Sequence, residues 1–590
     1  MSKKEIKVSQ KINSLTSIDL IHEQMDSNPH YPFNVQSGWL PNPNSPMMKK
    51  FFDRVFEALP QDFAPSVQAL DTLVTKNVVL TYLMDNACQE NGNIKASNLE
   101  KAKAVHLPLI SSKEVLLNAF NALLNQPPSF IDDELVGLPF SAIVVGIDPT
   151  QSGMTLFRLP IFNKAMKAIL NDWHAFLDSK GSNTVFSVEG EQWLSTKAKQ
   201  QYQFEVWKKD NEQLPYWNTW NSFFTRQFKK PNKSRPIADQ NSNKTIVSAN
   251  DGSLFRWDEN ILAKDVFWFK DMQYSLVDIL GADSLKEKPE LLDLFTDGSI
   301  FQTYLNPYNY HRWWCPVNGE VFYGPNVISG DYFNKLVIPD FGGATTASLP
   351  YLVQVNARGL LVLKTDDGHG YVCCIPLGMS EVSTISFNKE IAINKPVKKG
   401  QEMGMFEYGG SSFVMIFQKL PGKKLFFQSG TGEIYEKRPV LPKGSASIGG
   451  NVTLIGSQIG KWQDVDFTVE STEAWQNTGY VNTGKQYIIT YIGGLWTANP
   501  QDNQGNLYDG NGSSIVADQT GYPLQNQPEG ALIGRIGSNP PFLIGNGPIT
   551  TPLGQTGQLK LCINDDLNGL YGKGLTDNEG AITVSITPFG

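Results

Sequence analysis

The apolar residues of this chain change their repeat near residue 240, and that change restricts the fold more than any other feature. Before it, Met48, Phe51, Phe52, Val55, Phe56 and Leu59 recur at helical spacing, as do Phe162, Ala165, Met166, Ile169, Leu170, Trp173 and Leu177. After it, apolar residues gather in short runs broken by Gly, Pro and Asn, such as CPVNGEVFYG (315–324) and YVCCIPLGM (371–379), which read as strands. Both repeats in one chain, in separate blocks, predict an α+β protein. At 590 residues the chain exceeds a single core, so it is a multidomain one.

The expected layout has four parts. Residues 1–200 form a helical domain and 201–440 a β-rich domain. The segment KRPVLPKGSASIGGN (437–451) has two prolines, three glycines and little to bury, which sets a linker at 441–462. From 463 to 590, Asn, Gly and Thr are frequent and charges few. Alternating runs such as QYIITYIGGLW (486–496) predict a separate β-sandwich.

A formal net charge of −8 argues against nucleic acid or an anionic membrane as the main partner. The five cysteines show no metal-ligand spacing, and the adjacent Cys373 and Cys374 read as core thiols of a reducing compartment. The start, MSKKEIKVSQ, lacks the apolar stretch of a signal peptide, and no run is long enough to span a bilayer. A cytoplasmic protein without a membrane span is therefore expected. Export by another route and homo-oligomerisation are left open.

Chemistry concentrates in a few places. GMFEYGGSSFVMIF (404–417) places two glycines and two serines directly before a run that reads as a buried strand. His311 lies in NYHRWWCPVNG (309–319), His369 in TDDGHGYVCC (365–374), and Asp251 in IVSANDGSL (246–254). Each is weak alone: Asp-Gly is a common turn, and a histidine among aromatics is often core. His174, within a helical stretch, reads as a boundary histidine without a role.

Together and in this order, FFTRQFKKPNKSRPI (223–237), VSANDG, YHRWWCPVNGEV and the Gly-Ser pair resemble the phosphatidylserine decarboxylase superfamily. PYWNTWNSFFTRQF (215–228), IPLGMSEVST (375–384) and LNDWHAFLDSKGSNTVF (170–186) are closest to its soluble, tryptophan-decarboxylase-like branch. The resemblance implies that residues 1–200 are that branch's helical N-terminal domain and 201–440 its catalytic domain. It implies self-cleavage between Gly410 and Ser411, with Ser411 becoming a pyruvoyl group. The ketone of that group would take up the amine of a free, aromatic amino acid and accept the electron pair as CO2 leaves. Phosphatidylserine itself is the alternative substrate.

The family's Asp–His–Ser arrangement maps onto Asp251 and Ser411, with His311 matching the first histidine of a Y-H-R-x-H pattern. Trp314 stands where the second histidine is usual, and an indole has no basic lone pair. His311 or His369 acting as base, strain-assisted cleavage, and an uncleaved chain serving as a sugar-binding scaffold all stay open. Trp313 and Trp314, with Trp217 and Trp220, are candidates for an aromatic-lined substrate pocket.

The C-terminal part resembles the bacterial galactophilic lectin A family through WQNTGYVNTGKQYIITYIGGLW (475–496), PEGALIGRIG (528–537) and IND…TDNEGAITVSI (563–586). That likeness implies a Ca2+ site at Asp565, Asp577 and Asn578, with carbonyls near Asn499, and a galactose-type carbohydrate as partner. Oxygen-only ligands of this kind suit Ca2+.

Overall fold

The computed structural model describes residues 46–589 apart from 58–61, 98–109, 132–133, 136–137, 145, 149, 190, 211–216, 260, 264–273, 306–308, 331, 334–336, 339–342, 345–348, 379–380, 382–383, 408–410, 421, 428–451, 465, 484–485 and 502–503. Of the residues singled out above, Leu59, Gly409 and Gly410 lie outside the described residues, as does 441–451 of the expected linker.

Helices come first, as the repeat requires: α1 (Pro46–Phe56), α2 (Pro65–Lys76), α3 (Pro160–Leu177) and the short α4 (Trp220–Phe224). Pro160 starts α3, where its fixed φ suits the first turn and its missing N–H costs nothing. Phe162, Met166, Ile169, Leu170, Trp173 and Leu177 bury one face of α3. The helical core is aromatic: Trp193 and Trp220 lie 4.9 Å apart between ring centroids, Trp217 and Phe223 4.8 Å. Trp217 and Trp220 are both buried within this core.

The β-rich part supplies β1 (Thr245–Val247), β2 (Gly252–Asp258), β3 (Ser299–Leu305), β4 (Arg312–Trp314), β5 (Gly319–Ile328), β6 (Arg358–Thr365) and β7 (Tyr371–Gly378). Then follow β8 (Ile385–Phe387), β9 (Pro396–Val397), β10 (Glu402–Phe406), β11 (Ser411–Phe417), β12 (Lys423–Phe427), β13 (Val452–Thr453) and β14 (Gln458–Asp464). Eight of these make one antiparallel sheet in the order β9-β5-β6-β7-β11-β3-β2-β13. Strands β8-β10-β4 and β12-β14-β1 make two three-stranded sheets.

The centre of the large sheet is buried on both faces, which explains runs too continuous for a half-exposed strand. Along β11, Phe413, Met415 and Phe417 enter one core with Trp313, while Val414 and Ile416 enter a second on the opposite face. The same alternation sends Cys374 to the first core and Cys373 to the second, so both thiols are structural.

The linker expected at 441–462 does not extend that far. β13 pairs with β2, and β14 pairs with both β12 and β1, so 452–464 complete the sheets of the β-rich region. Runs this short carry little periodicity, and apart from β12 their strand partners lie some 200 positions earlier. Beyond them, two four-stranded antiparallel sheets share one core. Val469, Ile489, Trp496 and Ile582 meet Leu532, Ile533, Leu559 and Leu561 there, which is sandwich packing. No described helix is long and apolar enough to cross a membrane.

Candidate active site

Ser411 and Ser412 open β11 and are both fully buried, but their hydroxyls differ. Ser412 is held twice: its hydroxyl donates to the Thr303 carbonyl at 2.7 Å and accepts from Gln302 Nε2 at 3.0 Å. Tyr274 in turn donates to Gln302 Oε1 at 2.6 Å. Ser411 pairs through its backbone with Leu305 of β3 and Gly378 of β7, yet its hydroxyl has no hydrogen-bond partner among the described residues. Strand alternation places Ser411 on the face of Phe413 and Trp313, opposite Ser412. A buried hydroxyl left unmatched costs about 1–3 kcal/mol, so it calls for a reason other than stability.

Asp251 and His311 reach the same end of the sheet as Ser411. Asp251 immediately precedes β2, whose Ser253 pairs with Tyr304, one residue before the Leu305 that faces Ser411. Two strand spacings, roughly 10 Å, therefore separate these backbones. His311 leads into β4; its carbonyl accepts from Phe406 N–H at 2.9 Å, five residues before Ser411. The His311 ring is fully buried, stacked on Phe224 of α4 at 4.1 Å and edge-on to Phe406 at 6.5 Å.

Asp251 is held by an arginine that the motif reading passed over. Arg235 Nε donates to Oδ1 at 2.8 Å and Oδ2 at 3.0 Å, Nη2 also meets Oδ2, and Ile455 N–H donates to Oδ1 at 2.9 Å. The only sequence signal for Arg235 is its place in KSRPI, inside the quoted motif.

His369 is placed elsewhere. It sits in the turn between β6 and β7, with Nδ1 2.9 Å from Asp367 Oδ1. The whole of β7, Tyr371 to Gly378, separates it from the Ser411 pair, roughly 24 Å at about 3.4 Å per residue. It cannot reach the Ser411 hydroxyl, which corrects its candidacy as base. Trp313 and Trp314 are both buried. Trp313 lies against Phe387, Phe406 and Phe413, and Trp314 joins the core of the helical region.

A third histidine, given no role above, stands against this segment. His174, in the last turn of α3, has Nε2 2.6 Å from Glu407 Oε2 and 3.1 Å from Asp178 Oδ2. Asn221 of α4 lies 3.3 Å from Nδ1 and donates to Asp178 Oδ1 at 2.9 Å. The hydrogen bond to Glu407 raises the imidazole's pKa, against the opposing effect of burial. Its signal was present but ambiguous, since spacing puts His174 beside Asp178 but says nothing of Glu407.

In the sandwich, Asp565 and Asn578 are buried, and Asp565 Oδ2 and Asn578 Oδ1 have no hydrogen-bond partner among the described residues. Burial pushes the Asp565 carboxyl up to about 6, while the Asn578 side chain and the Asp566 N–H lower it. Asp566 and Glu529, also buried, each carry one unmatched carboxylate oxygen and add repulsion. Asp577 ends a short 3-10 turn (Gly574–Asp577), and Asn499 follows the strand Tyr487–Thr497, whose Thr497 pairs with Glu579 beside Asn578. Unmatched oxygens and excess negative charge in one buried place fit a hard cation.

Comparison with known proteins matches the sequence around this site to a family. Two phosphatidylserine decarboxylase family models match, one over residues 220–433 and one over 64–202. Decarboxylase iboD of Amanita muscaria is 32% identical over 305 residues, covering 48% of this chain and 84% of that protein. The L-tryptophan decarboxylase of Psilocybe cubensis is 29% identical over 329 residues, 52% of this chain and 72% of that one. The phosphatidylserine decarboxylase proenzyme of Clostridium tetani is 30% identical over 248 residues, 41% and 71% respectively. The chain belongs to the phosphatidylserine decarboxylase family.

Proposed function

We propose that this protein is a pyruvoyl-dependent decarboxylase of a free aromatic amino acid, activated by self-cleavage between Gly410 and Ser411, with an appended calcium-dependent galactoside-binding sandwich. The observation that carries the reading is the Ser411 hydroxyl, buried and without a partner among the described residues at the first position of β11, while its neighbour Ser412 is fully engaged.

Cleavage starts when Ser411 Oγ attacks the Gly410 carbonyl carbon and the Gly410–Ser411 amide bond breaks to an ester. Loss of the Ser411 α-proton then expels the Gly410 carboxylate, and water replaces the nitrogen as ammonia, leaving a ketone. Gly409 and Gly410 suit the tight approach because they carry no Cβ. His311 is the base that takes the serine proton: it shares this end of the sheet, and His369 does not. The Asp251–Arg235 pair fixes the turn before β2, two strands from Ser411. Once formed, the ketone supplies the electron sink for decarboxylation.

The names of the fungal relatives support an amino acid as substrate, and those of the bacterial proenzymes support the self-cleaving class. In the sandwich, Asp565, Asp577 and Asn578, with carbonyls near Asn499, would hold Ca2+, which supplies direct coordination of vicinal sugar hydroxyls. Intact mass of the purified protein tests the main reading. A fragment spanning 411–590 with a blocked N-terminus supports it, and a single full-length species after long incubation overturns it. Release of CO2 and amine from aromatic amino acids supports the substrate class, whereas activity confined to phosphatidylserine vesicles overturns it.

A second reading is a chain that does not cleave and serves as a sugar-binding scaffold. It is favoured by the one departure from the family pattern, Trp314, whose buried indole N–H meets no partner among the described residues. Retention on a galactose matrix by an uncleaved, inactive protein is its signature.

A further inference from the structure

Two carboxylates stand near the Ser411 end of the central strands in sequence, Glu381 after β7 and Glu407 after β10, and the helical region holds both. β7 ends at Gly378, the partner of Ser411, and Glu381 follows three residues later. The Glu381 carboxylate is buried and accepts from Ser141 N–H at 2.7 Å and Ser141 Oγ at 2.8 Å, at the start of the helix Pro139–Val144. On the other side, β10 ends at Phe406 and Glu407 follows, four residues before Ser411. Its backbone N–H reaches the Thr384 carbonyl at 3.2 Å, its Oε1 accepts from Ser386 Oγ at 3.2 Å, and its Oε2 meets His174. α4 links this clamp to the proposed base, because Asn221 contacts His174 and Asp178 while Phe224 stacks on His311.

We propose that the helical region is a positioning clamp for self-cleavage, with His174 its positioning residue: by holding Glu407 it fixes the end of β10, four residues before Ser411. This rests on the self-cleavage reading above.

A pH dependence follows. The groups facing His174 are Glu407, Asp178 of its own helix and the uncharged Asn221. An imidazole whose pKa is raised by Glu407 holds the segment most firmly below the ordinary histidine value, and the hold weakens as pH rises through the raised value.

Cleavage of His174→Ala, His174→Gln and the unaltered protein is followed by intact mass from pH 5.5 to 8.5, with thermal melting to check folding. Misplacing reacting groups by about an ångström can cost about a hundredfold, so His174→Ala should slow cleavage roughly ten- to a hundredfold near neutral pH. His174→Gln, whose amide still donates to Glu407, should recover most of the rate and lose the weakening above neutral pH. Equal rates for His174→Ala and the unaltered protein overturn the clamp and leave self-cleavage standing. A slow His174→Gln, or one that keeps the pH dependence, overturns it too, and decides the matter if His174→Ala fails to fold. If the unaltered protein never splits, both readings fall together.

Discussion

Ser411 keeps a hydroxyl in a place where alanine would be cheaper. Because that hydroxyl lacks a partner among the described residues, Ser411→Ala should leave the melting temperature unchanged or raised while abolishing cleavage. The pair of outcomes, read by melting and intact mass, separates a reactive serine from a structural one. Ser412→Ala should do the opposite: it removes the Ser412 acceptor of Gln302 Nε2 and the donor to the Thr303 carbonyl, and costs about 1–3 kcal/mol, read by denaturant unfolding, with cleavage retained. Arg235 is a different case. Removing it leaves the Asp251 carboxylate buried without its ion pair, so Arg235→Met should cost about 3–5 kcal/mol in the same unfolding measurement. Asp251, His311 and Ser411 were legible as candidates because each stands in a short word with a distinctive order. Arg235 and His174 were not, since an ion pair across 16 residues and a contact across 233 leave no periodic trace.

Among the elements, the strands after the linker carry the firmest expectation. β14 pairs with β12 and β1, β13 extends the large sheet, and Ile455 N–H between them supports Asp251. A chain ending at 440 should therefore lack a cooperative melt and fail to cleave, whereas one ending at 465 should melt cooperatively and cleave. Equal behaviour of the two would show these strands to be accessory. Helix α3 was readable because its apolar face spans five turns, and β11 because its run is continuous. β13, of two residues, offers no pattern at all, and only its partners make it a strand.

For the whole molecule, the sandwich should respond to pH and calcium together. The Asp565 carboxyl is raised, to about 6, so the folded state binds its proton more tightly than the unfolded chain does. Without calcium, stability should therefore fall as pH rises from about 4 to 6. Calcium favours the ionised carboxylate, so the rise in melting temperature on adding it should be larger at pH 7.5 than at pH 5. A calcium response identical at both values would exclude Asp565 from the site.

The sequence by itself determined the α+β class, the order of the helical, β-rich and sandwich blocks, and the family motifs around Ser411. These are local properties: periodicity needs only neighbours, and motifs are words of a few residues. The tertiary structure alone decided which histidine shares the serine's end of the sheet, that the tryptophans are buried, and that 452–464 return to the β-rich region. It also set His174 against Glu407. Each of these depends on where distant strands and helices meet, and burial and pairing free energies fix that only when the whole chain is packed.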